Sequence, residues 1–253
     1  MPETDDVQLV VHLPRGEKTD QDAEWCLVET EEGPRRIRFH DYHEIYAIPG
    51  LYERLFYHEL QCDSPRTVRR LLKGVLAEQQ ADPAELVVLD LGAGNGMVGE
   101  ELDTIGAGTI VGVDIIPEAA EATARDRPGI YDSYLVADLT EPSEELEGVP
   151  FNCLTSVAAL GFGDIPPAAF ARAYNAVADG GLVVFTIKES FLDDGDSTGF
   201  SALIRSMLEE KVMEPLVEHR YRHRLAVSGT PLHYLAFVAE KHSDVSERWL
   251  DAA

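Results

Sequence analysis

A run of glycines beside a carboxylate is the part of this sequence most able to do chemistry. It reads Asp90-Leu-Gly92-Ala-Gly94-Asn-Gly96 and separates the apolar stretch Leu86–Asp90 from a helical pattern that begins near Met97. Glycines in such a loop let the backbone turn sharply and let a ligand approach the main chain closely. The amides at the start of the following helix would favour an anionic group of that ligand. The spacing therefore predicts a ligand-binding loop.

Two further carboxylates end apolar runs that follow the glycine loop. Asp114 ends the run Thr109–Asp114, and Asp138 ends the run Tyr134–Asp138. Ligands of open α/β sheets bind at the carboxyl ends of the strands, which is where Asp114 is expected. Aspartate is also common in turns, so a turn or a helix cap is the alternative role for both side chains.

The segment 40–52 combines aromatic and ionisable side chains just before the predicted core. We expect Tyr46 to contact the ligand from a covering segment, with Tyr42 and Tyr52 nearby. Packing of this segment against the core is the alternative role for its aromatic rings. A histidine acts as a general base only where partners place it. The candidates for acid–base chemistry are His40, His43 and Tyr46.

Strand and helix patterns alternate from residue 85 onward and would position these side chains. Helices are predicted from Met97, from Pro117, after Pro166-Pro167 and over 199–214. Apolar runs that alternate with helices indicate a parallel sheet covered on both faces. We therefore predict an α/β fold with a doubly wound, mostly parallel sheet of seven strands. Its first five strands are predicted at Leu86–Asp90, Thr109–Asp114, Tyr134–Asp138, Phe151–Val157 and Leu182–Ile187.

The last two strands are predicted at Leu216–Val227 and His233–Glu240. Gly229-Thr230-Pro231 separates them, so an antiparallel hairpin is expected at the edge of the sheet. Alternation along the first of these strands would place its three arginines on one face, which we interpret as a solvated edge. These arginines are Arg220, Arg222 and Arg224.

The patterns divide the chain into an extension, a domain and a tail. Residues 1–59 are predicted to be an N-terminal extension that covers the site or contacts a second copy. A β-hairpin is expected within it over 24–39. The compact domain is predicted over 60–241 and a C-terminal tail over 242–253. A helix is expected to begin at Ser64-Pro65, with Ser64 as its N-cap.

The glycine run and the carboxylates that follow it resemble those of class I S-adenosylmethionine-dependent methyltransferases. The family signature is acidic-x-Gly-x-Gly-x-Gly, and Asp179-Gly180-Gly181 stands where the family has a Gly-Gly turn before its fifth strand. The resemblance covers 85–241. It implies S-adenosylmethionine as cofactor and methyl transfer as the reaction.

The resemblance also implies a role for each matching residue. The glycine loop would lie beside the methionine part of the cofactor, with Asp90 orienting it and facing the ammonium group. Asp114 would accept hydrogen bonds from the ribose hydroxyls. Asp138 would bind the adenine amino group, with Leu139 beside it. The complete predicted cofactor set is Asp90, Gly92, Ala93, Gly94, Gly96, Asp114, Ile115, Asp138, Leu139, Val157 and Tyr46.

A closer resemblance is to the methyltransferase-like proteins of the Williams–Beuren region and their bacterial relatives. It rests on Val98-Gly-Glu-Glu-Leu102, on Thr155-Ser-Val-Ala-Ala-Leu160 and on Gly181-Leu-Val-Val-Phe-Thr186. This subgroup resemblance implies no particular substrate.

Two other functions are alternatives to methyl transfer. Gly94-Asn-Gly96-Met-Val-Gly99 also spells GxGxxG, which would suit an NAD(P)-dependent oxidoreductase. Against that function, the chain has no Tyr-x-x-x-Lys pair, and the loop starts some 90 residues into the sequence. A non-catalytic protein that only binds S-adenosylmethionine is the second alternative, because intact cofactor residues fit it equally well.

The amino-acid composition limits which binding partners and cellular locations are expected. The formal net charge of −25 would repel a nucleic-acid backbone, and the Asn/Asp-Pro-Pro-Tyr/Phe motif of base-methylating enzymes is absent. No apolar run is long enough for a membrane span, and the acidic start lacks the apolar core of a secretory signal. Three dispersed cysteines suit a reducing cytoplasm. The sequence has no metal-binding motif. The charge and the cysteines together predict a cytoplasmic enzyme that acts on a small-molecule substrate, and a homodimer is one expected assembly.

Overall fold

Ten strands and six α-helices organise the part of the chain that the computed structural model describes, residues 9–16 and 19–250. Parts of the predicted extension and tail, residues 1–8, 17–18 and 251–253, lie outside the described residues. The strands are β1 (Val11–His12), β2 (Trp25–Thr30), β3 (Gly33–Arg38), β4 (Val87–Leu91), β5 (Thr109–Asp114), β6 (Ser133–Val136), β7 (Cys153–Ser156), β8 (Leu182–Lys188), β9 (Met213–Leu225) and β10 (Pro231–Lys241). The helices are α1 (Tyr42–Ala47), α2 (Ser64–Gln79), α3 (Met97–Ile105), α4 (Pro117–Asp126), α5 (Pro167–Asn175) and α6 (Phe200–Glu209), with a π-helical segment at Glu53–Glu59.

The main sheet has seven strands in the order β6-β5-β4-β7-β8-β10-β9. Its first five strands in this order are parallel, and β10 pairs antiparallel with both β8 and β9. The strand order reverses between β4 and β7, which opens a crevice at their carboxyl ends. The predicted doubly wound sheet with its terminal hairpin is confirmed.

Apolar residues on successive positions of the central strands bury both faces of the sheet. Val88 packs into one core cluster with α2 residues such as Leu72, while Leu89 packs into another with Phe170 of α5. All four side chains are fully buried. This two-sided burial explains why the strands are continuously apolar in sequence.

The N-terminal extension has its own small sheet, in which β2 lies between β1 and β3. β2 and β3 form the hairpin expected over 24–39, with Thr30 paired to Gly33 at the turn. Cys26, Ile37 and Leu55 belong to its apolar cluster, which also includes Val227 from the terminal hairpin. The extension is therefore packed on the main domain.

The start of α2 differs from the prediction in one respect. Asp63, and not Ser64, occupies the N-cap position, and Ser64 is the first helical residue. The Ser64 hydroxyl is engaged elsewhere, because it lies 2.6 Å from the Tyr221 hydroxyl and 2.7 Å from Nδ1 of His223. This buried network joins the helix to β9.

The prediction that Arg224 lies on a solvated face with Arg220 and Arg222 is wrong. Arg220 and Arg222 are exposed, whereas Arg224 is 3% exposed. The pairing of β9 with β10 shifts register between Leu232 and His233, and such a bulge inverts the alternation of side chains beyond it. Nη2 of Arg224 donates to Oε2 of Glu24 at 2.6 Å inside the protein.

Candidate functional site

A cavity of about 470 Å³ opens at the carboxyl ends of the parallel strands. Segments 91–92, 113–116, 137–140 and 157–159, which end or follow β4, β5, β6 and β7, form its floor and walls. Aromatic side chains of the extension cover it. This volume lies within the range of small-molecule sites, roughly 300–1,000 Å³. The covering side chains are His40, Tyr42, Tyr46 and Tyr52.

Only glycine fits at two positions of the loop that follows β4. Gly92 and Gly94 have φ angles of 73° and 55°. A β-carbon on Gly92 would lie 2.7 Å from Cδ1 of Ile165, and one on Gly94 would lie 2.6 Å from the Tyr46 hydroxyl oxygen. The loop therefore combines a left-handed turn with close contact on its outer side.

Asp114 connects the end of β5 to the glycine loop. Its Oδ2 accepts a hydrogen bond from the amide of Gly94 at 2.9 Å, and its Oδ1 accepts one from the amide of Ile116 at 3.0 Å. Burial raises the pKa of Asp114, and the backbone amides act in the opposite direction. Each carboxylate oxygen can still accept a further hydrogen bond. Because the side chain lines the cavity, Asp114 can bind two hydroxyl groups of a ligand.

Asp90 lies behind the loop and does not line the cavity. Its carboxylate accepts hydrogen bonds at 2.6 Å from the hydroxyls of Thr155 and Tyr131. The side chain is 1% exposed, and burial raises the pKa of Asp90 to about 6. Thr155 is the register partner of Asp90 on β7, which explains the contact. These contacts suit the loop-orienting role expected for Asp90, and its carboxylate does not line the cavity in which the ammonium group was expected.

The rim of the cavity offers an exposed apolar side chain next to a polar one. Ile115 is 55% exposed although it is a large hydrophobic residue, whereas Leu139 is buried. Asp138 is exposed at the same rim, and its Oδ1 accepts from the amide and the hydroxyl of Thr140. Asp138 therefore forms the turn that the sequence allowed and also lines the cavity. A flat apolar ring with a polar edge would fit between these side chains.

The loop from β7 to α5 holds two side-chain-bearing residues in a conformation that favours glycine. Ala158 and Phe162 have φ angles of 59° and 55°. The amide of Ala158 donates to the Thr186 hydroxyl at 2.8 Å, which fixes the first of these turns. Strain of this kind persists only where the surroundings impose it, and it is frequent at binding sites. Val157 and Ala159 place small apolar surface in the cavity here.

Three tyrosines of the extension are stacked over the glycine loop. The ring of Tyr46 lies between those of Tyr42 and Tyr52, with centroid distances of 6.0 and 5.3 Å. Burial raises the pKa of all three phenols far above neutrality. Burial therefore favours the neutral phenol of Tyr46, which can donate a hydrogen bond.

A charged contact attaches the extension to the same loop. Oε1 of Glu53 accepts from Nδ2 of Asn95 at 2.8 Å and from Nη1 of Arg127 at 2.7 Å. The same Arg127 nitrogen donates to the Asn95 carbonyl at 3.0 Å. The loop conformation is thereby coupled to the position of the covering segment.

The two candidate histidines have different surroundings. Nδ1 of His40 lies 2.9 Å from Oδ2 of Asp164, and both side chains line the cavity. The His43 side chain is 62% exposed, and it lines neither the cavity nor the space behind it. The structure therefore brings His40, and not His43, to the site.

The predicted cofactor residues separate into three groups by position. Gly94 and Ala93 line a smaller inner chamber of about 60 Å³ behind the cavity. Asp90 and Gly96 line neither space, and Gly96 is the N-cap of α3. The predicted residues that line the main cavity are Gly92, Asp114, Ile115, Asp138, Leu139, Val157 and Tyr46.

Sequence reasoning missed Asp164, Glu53 and Arg127. Asp164 lies 124 positions from the histidine that it contacts, so no local pattern connects them. The density of charged and aromatic residues near Glu53 was the only available signal. Within residues 9–16 and 19–250, no group of three or more potential ligands could hold a metal ion, and no helix is long and apolar enough to cross a bilayer.

The chain is similar to known methyltransferases in sequence pattern and in fold. The family described as a methyltransferase domain matches residues 57–251. No curated protein matches the chain in sequence. Among solved structures, the N-methyltransferase NodS from Bradyrhizobium japonicum, in complex with S-adenosyl-L-homocysteine, is similar with a TM-score of 0.56 at 14% identity, over 80% of this chain and 97% of NodS.

Two further solved structures are similar. An S-adenosylmethionine-dependent methyltransferase from Clostridium acetobutylicum has a TM-score of 0.52 at 12% identity, over 76% of this chain and 97% of the other. The magnesium protoporphyrin IX methyltransferase from Synechocystis, with bound S-adenosylmethionine, has a TM-score of 0.50 at 14% identity, over 70% of this chain and 79% of the other. At these identities the likeness establishes the fold.

Proposed function

The chain belongs to the methyltransferase domain family, and we propose that it transfers a methyl group from S-adenosylmethionine to a small-molecule acceptor. The observation that carries this proposal is Asp114, a cavity-lining carboxylate at the end of β5 that is hydrogen-bonded to the glycine loop. A carboxylate in this position suits a ribose with two adjacent hydroxyl groups.

The residues at the site fit this cofactor along its length. Asp114 would accept from the ribose hydroxyls, and Ile115 would pack on the adenine ring, whose amino group would face Asp138. The methionine part would extend along Gly92 toward Tyr46. The cofactor is cationic overall, so the surrounding carboxylates favour it electrostatically. When bound, it supplies a methyl carbon activated by a sulfonium group.

The enclosed shape of the cavity supports the proposal that the methyl acceptor is a small molecule. The extension covers the crevice with Tyr42, Tyr46 and Tyr52, which leaves a cavity of about 470 Å³ for cofactor and acceptor together. The formal charge of −25 opposes binding of a nucleic acid. Alignment of two molecules in such a cavity accounts for much of the acceleration of a displacement reaction.

We also propose a closer relationship, a cellular location and an assembly state. The motifs near Val98, Thr155 and Gly181 favour the Williams–Beuren subgroup and its bacterial relatives. The thiols of all three cysteines are free, which suits the cytoplasm. Residues 1–59 would act as a lid on a domain that spans 60–241, and a homodimer could form through the lid.

Turnover separates this function from a protein that only binds the cofactor. The purified chain would be incubated with S-adenosylmethionine and a library of small molecules, and S-adenosylhomocysteine would be measured by mass spectrometry. Product formation that needs both an acceptor and an intact Asp114 supports the proposal. Tight cofactor binding without turnover on any acceptor would favour the binding protein instead.

A further inference from the structure

A histidine–carboxylate pair stands between the cavity and the inner chamber. His40 and Asp164 both line the main cavity, and both also line the chamber of about 60 Å³ behind it. Nδ1 of His40 is 2.9 Å from Oδ2 of Asp164. The two residues come from different parts of the fold, since His40 precedes α1 and Asp164 lies in the loop from β7 to α5.

The surroundings fix the imidazole ring. The ring of Phe162 lies 5.1 Å from it at a tilt of 52°, and the ring of Tyr42 lies 5.7 Å away, edge on. The amide of Asp164 donates to the Gly161 carbonyl at 3.0 Å, which closes a tight turn. The positive φ of Phe162 belongs to the same turn. The strained backbone of Phe162 is therefore part of the turn that positions Asp164 beside His40.

The hydrogen bond determines which ring nitrogen is available. An ionised Asp164 can only accept, so it binds the imidazole when Nδ1 carries the proton. In that tautomer Nε2 has a free lone pair. Among the described residues, Nε2 of His40 has no hydrogen-bond partner. Nε2 is therefore the atom able to take a proton from a molecule in the cavity.

We propose that His40 is the general base of methyl transfer and that Asp164 is its positioning residue, so the substrate class is acceptors that keep a proton on the attacking atom at neutral pH. Alcohols, phenols and protonated amines belong to this class. The inference rests on the proposed methyl transfer. It goes further because it specifies the chemistry of the acceptor.

The acceptor proton moves to Nε2 of His40, before the attack for a protonated amine and during it for an alcohol or phenol, giving an imidazolium paired with Asp164. The acceptor atom would form a bond to the methyl carbon as the carbon–sulfur bond breaks, and the bonding pair of that bond would remain on sulfur. The imidazolium then releases the proton to solvent. No other reactant is needed.

The other titratable groups around this space are buried, half-buried or hydrogen-bonded. Tyr42 is half-buried, Tyr46 is buried, and Asp114 accepts hydrogen bonds from two backbone amides. His223 lies 2.7 Å from the Ser64 hydroxyl, and burial lowers the pKa of His223 well below its usual value. The remaining polar groups that line the chamber are Gln21, Tyr52, Tyr57, Cys62, Asn95, Arg224 and Tyr234. Of these, Arg224 is paired with Glu24.

The test compares His40→Gln, His40→Asn and Asp164→Asn with His43→Gln as the matched control, because His43 lies on the same segment but is exposed. Each variant would be checked for its melting temperature and for S-adenosylmethionine binding by calorimetry. Turnover to S-adenosylhomocysteine would be followed with three acceptor panels: alcohols and phenols, amines, and carboxylates. The tautomer of His40 would be read from its ¹⁵N NMR shifts.

We expect unchanged cofactor binding in every variant and turnover confined to the first two panels. Loss of His40 should lower turnover by about 100-fold or more, as for other general bases. Turnover of the His40 variants should recover as pH rises, because the acceptor then loses its own proton. Asp164→Asn should lower turnover less and shift the NMR tautomer, whereas His43→Gln should match the wild type.

Three results would overturn the inference while leaving cofactor binding intact. They are full turnover in a folded His40→Gln variant, turnover confined to carboxylates, and a proton found on Nε2 of neutral His40. Failure of the wild-type chain to bind S-adenosylmethionine would instead refute the proposed function itself.

Discussion

The hydroxyl oxygen of Tyr46 lies 2.6 Å from the position that a β-carbon on Gly94 would occupy. Tyr46 belongs to the extension and Gly94 to the loop after β4, so this contact joins the two parts of the site. Tyr46 cannot easily move aside, because its buried ring is stacked between Tyr42 and Tyr52. A close fit of this kind makes the loop sensitive to a single methyl group.

Gly94→Ala should therefore weaken binding of S-adenosylmethionine by at least about tenfold, equivalent to about 1.4 kcal/mol. Two effects combine, since alanine disfavours a φ of 55° and its methyl group meets Tyr46. Gly106→Ala is the matched control, because Gly106 has a φ of 84° but open space around it. Calorimetric titration should show nearly normal affinity for the control, and equal losses in both variants would argue against the Tyr46 contact.

Glu53→Gln should loosen the extension from the glycine loop. The change removes the charge that faces Arg127 at 2.7 Å. We expect a loss of about 1–3 kcal/mol in unfolding free energy, as for other hydrogen bonds to charged groups. Weaker cofactor binding should accompany it. Chemical denaturation would compare this variant with Glu59→Gln, whose partners Arg15 and Arg54 are exposed and whose loss should cost at most about 1 kcal/mol. Equal effects would contradict the coupling.

Arg224→Met should be strongly destabilising, because it leaves the carboxylate of Glu24 buried without its partner. Breaking one side of a buried ion pair typically costs about 3–5 kcal/mol. Arg222→Met is the control on the same strand, where an exposed side chain should contribute less than about 0.5 kcal/mol. Urea unfolding of both variants measures the difference. Comparable values would mean that the bulge in β9 does not turn Arg224 inward.

Asp90→Asn should change how stability depends on pH. Burial raises the pKa of Asp90 from 3.8 to about 6, so ionisation of this group costs the folded state stability as pH rises through that interval. The asparagine variant avoids the cost. Its stability relative to the wild type should improve between pH 4 and pH 7 by an amount on the order of 3 kcal/mol, and then level off. A difference that stays constant with pH would refute the shifted pKa.

Local patterns were sufficient to predict the sheet, because its strands are apolar runs bounded by glycine, proline and aspartate. The glycine loop and Asp114 were predicted in the same way, because the loop begins directly after β4 and Asp114 is the last residue of β5. The hydrogen-bond partner of Ser64 and the inward orientation of Arg224 could not be predicted from local sequence. Ser64 has a tertiary partner in His223, and Arg224 lies beyond a bulge that only the pairing of β9 with β10 reveals.

The functional details depend on contacts between distant segments. Asp90 was expected to orient the glycine loop and to face the ammonium group, and its hydrogen bond from Thr155 of the neighbouring strand β7 could not be predicted locally. His40 and His43 were equivalent in sequence. Only the fold shows that His40 meets Asp164 and that His43 faces solvent.

The central claim is that Asp114 and the glycine loop bind S-adenosylmethionine. Calorimetric titration of the wild type and of Asp114→Ala with S-adenosylmethionine, S-adenosylhomocysteine and NAD tests it most directly. We expect the first two ligands to bind the wild type, NAD not to bind, and a folded Asp114→Ala variant to lose binding of both. Binding of NAD alone would contradict this expectation and would make Gly94, Gly96 and Gly99 the loop of a dinucleotide site.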